Sequence, residues 1–132
     1  MKAAILTELN TDLVVRDDVG LGDLGPGDVH VKIVSSGVCH SDVSAQNGTI
    51  PCGTPCVLGH EGAGIVQEVG AGVTDVAAGD HVILSFVPAC NQCGPCLRGQ
   101  SYLCAMSMAV ATSPHFVIDG NPVTGFPGGG AF

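Results

Sequence analysis

The chain has 132 residues, enough for one domain with a modest core, and a formal net charge of −8 from 4 Lys+Arg against 12 Asp+Glu. So few basic residues argue against nucleic acid or an anionic membrane as a partner, and no apolar run approaches the length of a bilayer span. Aromatics make up 4% with no Trp, so the core must be built from Val, Ile, Leu and Ala, while 20 Gly and 8 Pro favour turns and short strands over long helices.

The segment MKAAILTEL is interrupted at Glu8 and does not read as a signal peptide. A thiol-rich chain without such a leader is expected in the cytoplasm, its thiols reduced or metal-bound. Residues 2–8 and 13–17 predict two short strands around the turn residues Asn10, Thr11 and Asp12. After the turn Gly25-Pro26-Gly27-Asp28, Val29, Val31 and Ile33 alternate with His30, Lys32 and Val34, the period of a half-buried strand that Gly37 ends. Residues 39–46 predict a short helix, with Ser41 and Asp42 near its start to satisfy free N–H groups. Residues 48–60, punctuated by Gly48, Pro51, Gly53, Pro55 and Gly59, predict an irregular loop. A strand is expected over 63–69, turns at Gly70 and Gly72, another strand over 81–87, a cysteine lobe over 88–105 and one strand over 115–118. No internal repeat is present, and Gly128-Gly129-Gly130 is the one low-complexity patch. The sum is a mostly-β (α+β) domain, a distorted barrel of short strands with a metal lobe inserted.

The lobe carries the strongest chemical signal. Cys90, Cys93, Cys96 and Cys104 read C-x2-C-x2-C-x7-C, and Pro88, Gly94, Pro95 and Gly99 supply turns. A tetrahedral zinc takes four soft thiolates, and ligands this close in sequence cost little loop-closure entropy. Three alternatives stand beside it. Ferredoxin-type iron–sulfur ligation has a fourth cysteine sooner and followed by proline, whereas Ala105 follows Cys104. A thioredoxin-like pair has the spacing of Cys93–Cys96 but opens a helix, and the Gly-Pro-rich flanks predict a loop. A disulfide framework fits poorly with seven cysteines, an odd number.

Cys39-His40-Ser41-Asp42 and Gly59-His60-Glu61-Gly62 form a second group. A catalytic zinc keeps an open position, and Cys39 with His60 supply a thiolate and an imidazole from two loops. Glu61 could reach the same ion, Asp42 could accept the other ring N–H of His60, and Ser41 places a hydroxyl nearby. On residue type alone the signal is weak for Cys39 and His60: a lone Cys after a strand is more often a small buried hydrophobe, and Glu61 unsupported reads as a solvated loop carboxylate. Gly62 and Gly64 begin a dinucleotide-type glycine pattern, but Gln67 breaks it.

GHEGAG, preceded by CHSD and followed by GDHV and the four-cysteine lobe, resembles the zinc-dependent alcohol dehydrogenases of the medium-chain dehydrogenase/reductase family. The order of motifs matches from KAAIL to DGNP, and SFVPACNQCGPCLRG is similar to actinobacterial, class-III-like members. The resemblance implies a GroES-like catalytic domain over 1–132, with the structural-zinc lobe at 88–105. It implies oxidation of an alcohol to an aldehyde or ketone with hydride transfer to NAD or NADP, two zinc ions (one structural, one catalytic), and a homo-oligomer for the full-length enzyme. Cys39 and His60 match catalytic-zinc ligands, Glu61 a glutamate that approaches that metal transiently, and Asp42 the carboxylate behind the histidine. Ser41 matches the hydroxyl that takes the alcohol proton, His40 a position that touches the cofactor pyrophosphate, and Cys90, Cys93, Cys96 and Cys104 the structural-zinc ligands. The family also has a Rossmann domain and a second catalytic-zinc cysteine downstream of the lobe, whereas no cysteine follows Cys104. Many members carry a relay histidine where Ser44 stands. Cys52 and Cys56 precede GHE and are expected to be neutral loop thiols. The chain is therefore expected to be the N-terminal portion of a longer dehydrogenase, incomplete at the barrel's C-terminal end and inactive alone. The alternatives are a non-catalytic zinc-binding module and an iron–sulfur or dithiol redox carrier.

Overall fold

The computed structural model describes residues 1–126 and 129–132. Gly128 of the glycine patch lies outside them. Strand takes up 32% of the chain and helix 15%, so the mostly-β class expected from the glycine and proline content is the class observed. The strands form two sheets rather than one ladder.

The larger sheet holds six strands: β1 (Ala3–Leu6), β2 (Val14–Arg16), β3 (Gly20–Leu21), β5 (Cys56–Val57), β8 (Pro114–Ile118) and β9 (Asn121–Gly125). They lie in the order β2-β1-β5-β9-β8-β3. The two strands expected around Asn10, Thr11 and Asp12 form within the predicted segments and pair antiparallel, with Ala3 opposite Arg16 and Ile5 opposite Val14. β5 is a strand where a loop is expected. It pairs antiparallel with β1 and parallel with β9, with Cys56 opposite Thr124. Because successive side chains point to opposite faces, this sheet feeds two cores. Ala3, Ile5 and Val57 pack with Val19, Phe116, Ile118 and Val123 on one side. Leu6 and Cys56 pack with Ala45, Leu58 and Phe126 on the other.

The smaller sheet pairs β4 (Val29–Gly37), β6 (Glu61–Val69) and β7 (His81–Ile83) in that order, all antiparallel. The alternation read in 29–34 is present: Val29, Val31 and Ile33 are half-buried while Lys32 and Val34 are exposed. β7 is shorter than the 81–87 expected, since only three of those residues pair with β6. Leu84 still donates its N–H to Gly62, after which the chain turns away through Ser85 and Phe86.

Helix α1 (His40–Gln46) matches the predicted segment. Cys39 is its N-cap: its sulfur accepts the Ser41 N–H, and the Asp42 carboxylate reaches back to the Cys39 N–H. Ala45, fully buried, docks the helix on the second core. α2 (Gly94–Leu97) and a 3-10 turn (Ser101–Leu103) shape the cysteine lobe, and α3 (Ser107–Ala111) follows it. The Gly-Pro flanks of Cys93 thus open a helix, contrary to the sequence expectation. Cys93 is the N-cap of α2 and Pro95 sits in its first turn, where a missing N–H costs nothing. No helix among the described residues is long and apolar enough to cross a membrane.

Candidate metal centres

The start of α1 and the entry to β6 meet at one buried carboxylate. Asp42 is 4% exposed and, among the described residues, has no cationic partner apart from a histidine ring. Its Oδ2 accepts the Cys39 N–H at 3.2 Å, and its Oδ1 accepts the Gly59 N–H at 3.1 Å and faces His60 Nδ1 at 3.2 Å. With Nδ1 engaged by the carboxylate, Nε2 is the ring nitrogen left to present a lone pair. Gly59 makes this approach possible. Its φ of +94° is glycine territory, and a Cβ there would meet the Phe132 ring at 2.5 Å.

Donor atoms of Cys39, His60 and Glu61 all lie within 4.8 Å of one another. A thiolate, an imidazole and a carboxylate grouped this closely suit a divalent ion with a position left open. The buried His60 ring stands edge-on to Phe86, centroids 4.9 Å apart, and to Phe126 at 5.8 Å, so two aromatic walls fix it from the sides. A cleft of about 520 Å³ opens over the group, lined by Ser41, His60, Glu61, Ala63, Leu84 and Phe86. The Ser41 hydroxyl is 3.6 Å from the Cys39 sulfur. His40 is exposed at the first position of α1 and is not among the converging donors. Beyond Phe86 lies a second cavity of about 320 Å³, with largely apolar walls that include Ile50, Met108, Ala111 and Phe126.

The lobe brings together all four predicted cysteines. The sulfurs of Cys90, Cys93, Cys96 and Cys104 lie within 4.8 Å of one another, Cys93 3.4 Å from Cys96 and 4.0 Å from Cys104. With Zn–S bonds of about 2.3 Å, a tetrahedral site has sulfur–sulfur edges of about 3.8 Å. Backbone N–H groups already point at these sulfurs: Cys93 N–H at Cys90, and Cys90 and Met106 N–H at Cys104. Donation from the Cys96 and Ala105 backbone holds the Cys93 thiol down at about 6, and the Cys90 N–H lowers Cys104. Removal from water, reinforced by its contact with Cys93, pushes Cys96 up to about 12. Backbone donors thus favour the thiolate form at Cys93 and Cys104, and four sulfurs grouped this closely suit a divalent ion. All seven cysteines are free, so no disulfide framework is present among the described residues. A four-residue α2 is also far short of the helix on which a thioredoxin-like pair stands.

Residues 25–132 match the family described as alcohol dehydrogenase GroES-like domain. The chain belongs to that family. It is 46% identical over 104 residues to alcohol dehydrogenase class-3 of Drosophila melanogaster, covering 78% of this chain and 27% of that protein. The crystal structure of benzyl alcohol dehydrogenase from Acinetobacter calcoaceticus superposes with a TM-score of 0.79 at 30% identity, over 95% of this chain and 34% of the other. A structure described as NAD-dependent alcohol dehydrogenase gives 0.70 at 29%, over 95% and 35%. The chain thus spans about a third of the length of such relatives. Within the GroES-like fold, sequence reasoning missed Phe86 and Phe126 as walls of the histidine and Gly59 as a donor to Asp42. The scarcity of aromatics was the available signal for the first two. Cys52 and Cys56 lie outside both donor groups, and Cys56 is a buried strand residue rather than the loop thiol expected.

Proposed function

We propose that this chain is the zinc-holding catalytic portion of an alcohol dehydrogenase, oxidising an alcohol to an aldehyde or ketone with a nicotinamide cofactor. Cys39 and His60 hold a catalytic zinc, Glu61 stands by as an exchangeable ligand, and Cys90, Cys93, Cys96 and Cys104 hold a structural zinc. The observation that carries the reading is the convergence of Cys39, His60 and Glu61 donor atoms beside a cleft that His60, Glu61 and Ser41 line. When bound, zinc supplies Lewis acidity toward the alcohol oxygen and NAD or NADP supplies the hydride acceptor.

The residues of the chain do the rest. Asp42 fixes the tautomer and the direction of His60, so that Nε2 faces the donor group. Phe86 and Phe126 prevent the ring from rotating and limit water on its flanks. Ser41, at the cleft wall, is placed to take a proton from a hydroxyl bound there and to pass it outward. The apolar cavity behind Phe86 suits the hydrocarbon part of an alcohol. His40, exposed at the mouth of α1, serves cofactor phosphate. The activity, the cofactor choice and a homo-oligomeric assembly belong to the whole enzyme.

Metal analysis of the purified chain tests the reading. Two zinc ions per chain are expected, and one for Cys39→Ser. One zinc in both proteins would leave a structural module without a catalytic centre, and iron with visible absorbance would make the lobe a redox carrier.

A further inference from the structure

Two cysteines take no part in either metal group, and the fold brings them together. Cys52 and Cys56 both line the apolar cavity of about 320 Å³ beside Phe86. Cys56 is 1% exposed and belongs to the second core, and Cys52 packs against that same core from the cavity rim. The two thiol side chains interact with each other, which holds Cys52 below its ordinary value and, together with burial, Cys56 far above. Each sulfur also lies 3.6 Å from a backbone carbonyl, Gly53 for Cys52 and Val57 for Cys56.

The two differ in the way a reactive pair requires. Cys56 is pinned on both sides by β-pairing, to Leu6 and to Thr124. Cys52 sits outside regular structure and is partly exposed. The more accessible thiol is the better placed nucleophile, and a buried, fixed thiol on the same cavity wall is a resolving partner.

We propose that Cys52 and Cys56 form a thiol redox site on the wall of this cavity, in which a hydroperoxide oxidises Cys52 and Cys56 closes an intramolecular disulfide. The Cys52 thiolate attacks the peroxide. An S–O bond forms, the O–O bond breaks, and hydroxide or alkoxide leaves. The Cys56 sulfur then attacks the sulfenic sulfur. The S–S bond forms, the S–O bond breaks, and water leaves with the Cys56 proton. The two sulfurs give up the two electrons that reduce the peroxide. This site stands independently of the catalytic reading above.

The test is peptide mapping of the zinc-loaded chain after one equivalent of hydrogen peroxide, followed by alkylation. The peptide containing both residues is expected to lose the mass of two hydrogen atoms, to resist iodoacetamide and to regain both thiols with dithiothreitol, while zinc content stays unchanged. In Cys52→Ser, Cys56 is expected to stay reduced. In Cys56→Ser, Cys52 is expected to be trapped by dimedone as the sulfenic acid. Cys52 advancing to the sulfinic acid beside a free Cys56 in the unaltered chain would overturn the proposal. So would zinc loss with both thiols intact, or oxidation of Cys56 at an undiminished rate in Cys52→Ser. Because the unaltered chain alone decides, misfolding of a variant does not blunt the test.

Discussion

The four-cysteine lobe and the Cys39–His60 cleft both gather metal-ligating atoms, but they are built by different means. The lobe is local: its ligands span fifteen consecutive positions, and the backbone N–H groups that orient its sulfurs come from the same loop. The cleft is assembled at a distance. Its ligands come from the edge of a helix and the start of a strand, and one buried carboxylate ties them together. A local cage can close around an ion with little help from the rest of the molecule. An assembled site inherits its geometry from the fold, and can therefore leave one face open without collapsing.

The largest effect expected is on the lobe. Structural zinc sites carry on the order of 10 kcal/mol of binding free energy, more than a segment of this size has to spare. Cys93→Ser is expected to remove one zinc and to abolish amide-exchange protection across 90–104, while protection in β4 and β6 persists. Loss of protection in both regions would show that the two sites are not independent.

Next in size is Asp42→Ala. It leaves the Cys39 and Gly59 N–H groups and the His60 ring without their acceptor, at a cost on the order of 3 kcal/mol. It should weaken the cleft's zinc about 10–100-fold. Chelator competition on the zinc-loaded chain checks this, with zinc at the four cysteines expected to be unaffected. Gly59→Ala is a milder probe of the same junction. Its positive φ and the crowding against Phe132 should cost about 2 kcal/mol in urea unfolding.

The smallest effect is reserved for a contact that serves neither site. Arg16 bridges Asp18 and Asp119 on the surface, which ties β2 to the β8–β9 turn. Hydrogen bonding to Arg16 holds Asp18 down at about 2 and lowers Asp119. The stabilisation is therefore present above the ordinary carboxylate value of 3.8 and lost as pH falls toward 2. Arg16→Ala should erase that acid-side slope, lower stability at neutral pH only slightly, and leave both zinc affinities unchanged.

Much of this was legible in the chain, for reasons that differ by region. The hairpin of β1 and β2, the alternation in β4 and the helix after Cys39 are local patterns, and they stand where the sequence puts them. β3 and β5 have two residues each, too few to show a period. β9 was hidden by Pro122, which argues against an interior strand. The register explains the exception: β5 reaches only Thr124 and Gly125, so Pro122 needs no N–H on that side. The ligand types were legible because metal chemistry restricts them. The aromatic walls and Gly59 were not, because their roles exist only after distant segments meet.

One consequence follows from the strand order. The ladder β4-β6-β7 is complete once residue 83 has been synthesised, whereas β5 lacks its second neighbour, and β3 any neighbour, until β8 and β9 emerge. During translation the smaller sheet can therefore settle first, with His60 already held at its edge. The six-stranded sheet must wait for residue 125, and both of the cores it feeds wait with it.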